Sequence, residues 1–109
     1  MINKVYNYTI SKTKIIEKIV NDDVAMINHM VLPKDECLPV HNANSNVYMI
    51  VAEGAVTLEL DGTPPETYPK GSILNIEYGT LMSVCNTSDD ILELFVVKAP
   101  GPSHYNKQP

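Results

Sequence analysis

The chain has 109 residues, 44% of them apolar, with 13 acidic and 8 basic side chains and a net charge of −5. That length suits one domain with one modest core, and lysines interspersed with acids leave no basic stripe, which argues against nucleic acid and anionic membrane as partners. No apolar run approaches a membrane span and MINKVYNYTISKTKIIEK lacks a leader's continuous apolar stretch, so the expected location is the cytoplasm, with Cys37 and Cys85 as free thiols and no structural zinc site.

In chain order, Lys14 to Val20 is the first candidate element. Ile15, Ile16, Ile19 and Val20 fit one helix face, but β-branched content and the Asn21-Asp22-Asp23 turn favour a strand. Val24 to Leu32 is β-rich and stops at Pro33-Lys34-Asp35. Tyr48 to Ala52 follows, and Val56-Thr57-Leu58-Glu59-Leu60 alternates cleanly between Gly54 and the turn pair Asp61-Gly62. Ser72 to Ile76, Leu81 to Cys85 and Ile91 to Val97 give three more strands, the last two separated by the turn cluster Asn86-Thr87-Ser88-Asp89-Asp90. Short strands at regular spacing predict an all-β sandwich or barrel. The chain reads as one domain over 1–109, with N-terminal strands in 1–23, a core of about 24–98, and a C-terminal arm from Ala99 to Pro109, extended or frayed.

The segment Ile91 to Val97 has only Glu93 as a polar residue, so both its faces are expected to be covered. The second cover is either the N-terminal segment or another subunit, and a two-fold homodimer is the expected assembly.

The spacing of glycines and polar residues resembles that of the cupin superfamily, small β-barrels of the jelly-roll or double-stranded β-helix type. In the first cupin motif, a glycine is followed by a His-x-His pair, a glutamate and a closing glycine. Here Asp35 stands for the opening glycine, His41 is the first histidine, Ala43 replaces the second, Val47 replaces the glutamate, and Gly54 closes the motif. In the second motif Gly71, Gly79 and Asn86 match, while Glu77 replaces the proline and Met82 the histidine. The resemblance covers about residues 24 to 98, and it implies the barrel fold and a pocket inside it. In metal-binding members three histidines and one glutamate hold the ion. Of that set only His41 remains, so no tight metal and no cofactor are expected.

If the cupin register holds, His41, Ala43, Ser45, Val47, Met49 and Val51 face inward from one strand, and Met82, Val84 and Asn86 from another. The resulting pocket is largely apolar with a few polar groups, as small-molecule sites are. His41, Ser45, Met49, Met82 and Asn86 are the candidate ligand-binding residues. His41 with Glu77 or Tyr78 is the candidate acid–base set, since some cupin-fold isomerases and epimerases work without metal. His29 reads as a satisfied strand residue and His104 as a solvated one in the tail. Cys37 follows Asp35-Glu36, which disfavours a thiolate, and Cys85 alternates with Val84 and Asn86 and points away from the pocket. Three functions fit these residues: a metal-free module binding a small organic molecule, which we favour; a small isomerase or an atypical metal-dependent dioxygenase; or an interaction domain with a filled pocket.

Overall fold

The computed structural model describes residues 1–105, which form nine strands and one short 3-10 turn. The strands are β1 Ile15–Asn21, β2 Met26–Leu32, β3 His41–Asn42, β4 Val47–Glu53, β5 Ala55–Leu60, β6 Glu66–Pro69, β7 Ile73–Ile76, β8 Leu81–Cys85 and β9 Leu92–Lys98, and the 3-10 turn is Pro102–His104. They pair into a five-stranded sheet in the order β1-β2-β9-β4-β7 and a four-stranded sheet in the order β3-β8-β5-β6. All the pairings are antiparallel. The alternation predicts an all-β sandwich or barrel, and the jelly roll is what the cupin resemblance implies; both hold.

The ambiguous first segment is a strand because a partner exists for it. β1 pairs with β2 from Ile15 opposite Val31 to Asn21 opposite Met26, with a bulge between Lys18 and Val20. The inner faces of both sheets make one core, with Leu32, Met49, Val51, Val56, Leu58, Val84, Leu92 and Leu94 buried together. The inward set Ala43, Ser45, Val47, Met49 and Val51 is buried in strict alternation, so parity survives the loop before β4.

The motif turns have a steric logic. Asp35 stands where the cupin pattern has a glycine, and its φ of +67° is left-handed, a region that Asp tolerates better than most residues. Gly54 has φ +74°, and a Cβ there would collide with the backbone oxygen of Ile91, so the β4–β5 turn can pass β9 only without a side chain.

The N-terminal segment supplies part of the second cover that β9 needs. Tyr8 lies on the outer face of the five-stranded sheet, its ring centroid 4.9 Å from Phe95 and 4.7 Å from His29. Thr9 pins the segment there, its N–H and Oγ1 donating to the Glu17 carboxylate at 2.9 Å each. Tyr48 and Ile73 remain exposed, as do Ile2, Val5 and Ile10 of the N-terminal segment.

Two expectations are corrected. Cys37 and Cys85 are joined in a disulfide rather than free. They face each other across an isolated bridge in which Leu38 N–H donates to Val84 O and Asn86 N–H to Glu36 O, so a loop ahead of β3 becomes a strand-like neighbour of β8. The C-terminal arm is docked, not frayed, as far as Tyr105. Gly101 N–H donates to Asp23 O, Ser103 Oγ donates to Asp23 Oδ1 at 2.6 Å, and Tyr105 stacks on Tyr78 at 4.2 Å. The last four positions, 106–109, lie outside the described residues.

Candidate functional site

Between the sheets lies a cavity of about 40 Å³. Its apolar walls are Met30 of β2, Val47 and Met49 of β4, Met82 and Val84 of β8, and Val96 of β9, with Leu38 and Ala43 from the loops. Its polar groups are Asn28, His41, Asn44 and Lys98. The size matters, because one water occupies about 30 Å³ in the liquid. The interior therefore holds only a few non-hydrogen atoms. A larger hollow of about 590 Å³ runs between Tyr8–Lys12 of the N-terminal segment and the turns at Glu53–Gly54 and Asp90–Ile91. It is an open surface groove lined by none of His41, Ser45, Met49, Glu77, Tyr78, Met82 or Asn86, so the inner cavity is the candidate site.

The expected residues divide. His41, Met49 and Met82 line the cavity. His41 is exposed at its mouth, not half-buried within, because β3 is only two residues long. Its Nδ1 donates to the Pro39 carbonyl at 2.9 Å, which turns Nε2 outward as the free ring nitrogen. Ser45 faces inward but does not reach the cavity wall, and its hydroxyl donates to Asn46 O at 3.0 Å. Asn86 is buried and fully engaged. Its Nδ2 donates to Leu32 O and Asp90 O, and its Oδ1 accepts from Ser88 N–H and Oγ. With every donor and acceptor committed, it holds the turn before β9 and has nothing left for a ligand. Glu77 and Tyr78 are exposed and do not line the cavity that His41 lines.

Two residues that the sequence reading passed over carry the polar character of the cavity. Asn28 is 7% exposed, and its Oδ1 has no hydrogen-bond partner among the described residues. Leaving a buried carbonyl oxygen unpaired costs about 1–3 kcal/mol. Lys98 ends β9 on the inward parity of Leu92, Leu94 and Val96. It makes no ion pair among the described residues. Burial, and then the positive charge of Lys18, holds its ammonium below the usual lysine range. The signal for both was present, since Asn28 and Lys98 each stand where inward alternation calls for an apolar residue.

The residues do not fit a metal. Ala43 and Val47 occupy two of the four ligand positions of the cupin pattern with groups that cannot coordinate, and Met82 offers only a soft thioether. No group of three or more His, Cys, Asp or Glu side chains among the described residues is placed to hold an ion. The other two histidines are elsewhere. His29 is buried on the outer face, with Nδ1 2.7 Å from Glu17 Oε2 and Nε2 2.8 Å from Glu93 Oε2. His104 is exposed, its ring edge against Tyr105.

No family model matches the chain. It is 44% identical over 107 residues to an uncharacterised protein of Methanocaldococcus jannaschii, covering 97% of this chain and 92% of that one. The crystal structure of that organism's RmlC-like cupin family protein, with a double-stranded β-helix fold, superposes with a TM-score of 0.93 at 44% identity, covering 98% of this chain and 99% of that one. An RmlC-like cupin of Desulfovibrio desulfuricans superposes with a TM-score of 0.74 at 22% identity, covering 89% of this chain and 96% of that one. A protein of Klebsiella pneumoniae with a double-stranded β-helix domain gives 0.74 at 13% identity, over 88% and 84%. These last two speak to the fold alone.

Proposed function

The chain belongs to the RmlC-like cupin family, and within that fold we propose that it is a metal-free module that binds a small molecule in the cavity between its sheets. The observation that carries this reading is Asn28, a buried amide on the cavity wall whose Oδ1 lacks a partner among the described residues. Buried polar groups are nearly always hydrogen-bonded, so an unpaired one in an otherwise apolar cavity points to a bound group that completes it. Apolar walls with a few convergent polar side chains are the usual composition of such sites. The acid–base alternative has less support, because neither Glu77 nor Tyr78 lies on the cavity.

A fragment-sized metabolite screen by ligand-observed NMR tests the reading. Binders are expected, and Ala43→Leu, which extends a buried wall residue into the cavity, abolishes their binding while the fold persists by circular dichroism. His41→Ala weakens binding but shifts stability by no more than about 1 kcal/mol, since its hydrogen bond to Pro39 is solvent-exposed. A screen without binders, or binders indifferent to Ala43→Leu, rejects the proposal.

The assembly we propose is a two-fold homodimer through the outer face of the five-stranded sheet. The support is apolar surface that Tyr8 does not cover, with Tyr48 and Ile73 exposed there and Val5 and Ile10 exposed on the N-terminal segment. Sedimentation at micromolar concentration is expected to give a species of twice the 12.1 kDa chain mass. A monomer alone rejects it.

A further inference from the structure

Resting on the reading of the cavity as a binding site, the geometry points to a small carboxylate as its ligand class, with Lys98 as the counter-ion and the Asn28 amide as the second contact. The chain has 13 acidic residues, yet none of them lines this cavity. Lys98 sits half-buried without a carboxylate partner among the described residues, and a desolvated ammonium is costly unless paired. Lys18, exposed on the edge strand β1, adds a second positive charge nearby. His41 at the mouth contributes no negative charge in either protonation state. The one charged side chain lining the cavity among the described residues is therefore a lysine, in a protein whose net charge is −5.

The register places the two contacts side by side. Met26 pairs with Lys98 and Asn28 with Val96, so Asn28 and Lys98 are diagonal neighbours on the inner face of β2 and β9. Such neighbours lie about 7–8 Å apart, and a lysine side chain spans that gap. What lacks a partner is the buried position on the amide, and a half-turn of Asn28 exchanges Oδ1 for Nδ2 there in nearly the same shape, so that a carboxylate completes it by accepting from Nδ2. One carboxylate oxygen then accepts from the Lys98 ammonium and the other from Asn28 Nδ2. Met30, Val47, Met49 and Val96 leave only apolar surface for the rest of the ligand, which in a cavity of about 40 Å³ suits no more than a methyl group. A tetrahedral oxyanion fits poorly, because its remaining oxygens would face those apolar walls unpaired.

The test is an NMR titration of the full chain at neutral pH and constant ionic strength. The probes are sodium acetate, acetamide as its neutral counterpart, and inorganic phosphate. Acetate is expected to saturate one site, moving the Asn28 side-chain amide signals, and to bind at least tenfold more tightly than acetamide. Lys98→Met is expected to weaken acetate at least tenfold and to remove its advantage over acetamide. Should that variant fail to fold, Lys98→Gln gives the same readout. Equal binding of acid and amide keeps the cavity as a binding site and overturns the carboxylate. Phosphate binding more tightly than acetate overturns it as well, as do unsaturable shifts spread over many lysines. Binding by none of the probes overturns this inference, while the metabolite screen decides the wider reading.

Discussion

Replacing Cys37 and Cys85 together by alanine lowers the melting temperature by roughly 10–20 °C. The two residues are 48 positions apart in the chain. Closing a loop of that length removes enough entropy from the unfolded chain to be worth about 4 kcal/mol in the simplest model, with measured values commonly about 2–4 kcal/mol. For a domain near this size each kcal/mol moves the midpoint by about 4–8 °C. The bridge also has a local role. It fastens the segment that carries Leu38 and His41 to β8, which carries Met82 and Val84, and all four line the cavity. The prediction therefore has a second readout, faster amide exchange at Leu38 than at the core of β9. Differential scanning calorimetry with and without a dithiol reductant checks the first. A double variant that melts within a few degrees of the wild type refutes the prediction, and so does finding two free thiols in the unreduced, unfolded chain.

This bond shows where the sequence stops being legible. The expectation of a cytoplasmic location rests on finding no leader-like or membrane-length apolar run, and free thiols follow from that location. The pairing instead depends on a long-range register, Cys37 opposite Cys85, between β8 and a segment with no strand signature of its own. No local pattern encodes that. The fold was readable because alternation and turn residues are local: Val56 to Leu60 between Gly54 and Asp61-Gly62 fixes a strand and both of its ends. The inward set from Ala43 to Val51 was readable for the same reason, since period two runs unbroken through those residues, although His41 ahead of them is exposed. Asn86 misled because the motif supplies its position and not its partners, and four hydrogen bonds commit it to a turn. Lys98 was missed by ending the last strand at Val97. Carrying the alternation of Leu92, Leu94 and Val96 one step further puts a lysine on the cavity wall. Asn28 was missed beside His29, although it is Asn28 that shares the inner face with Met30 and Leu32.

Replacing His29 by alanine destabilises the fold by about 3–5 kcal/mol, the range for removing a fully buried ring and leaving its cavity. Its imidazole is fully buried between Glu17 of β1 and Glu93 of β9, at 2.7 and 2.8 Å. Both ring nitrogens are satisfied only when the ring holds two protons or one carboxyl keeps its own. Alanine leaves the two carboxylates facing a hole and strips the packing of Tyr8 and Phe95 on the ring. If charge dominates, adding Glu17→Gln and Glu93→Gln to His29→Ala recovers part of the loss. If only packing matters, the triple variant is no more stable than the single one, and the electrostatic account fails. Glu17 links this set to the N-terminal segment. The Thr9 N–H first, and then the His29 hydrogen bond, hold its carboxyl below the usual range. A carboxyl depressed in the folded state stabilises above its unfolded value, near pH 4.3. That stabilisation is lost as the pH falls through its folded value. Acid is therefore expected to release the segment carrying Tyr8 and Thr9 before the barrel unfolds, seen as loss of protection at the Thr9 amide while β9 stays protected. Thr9 protection that does not change across the acid range removes Glu17 as the anchor.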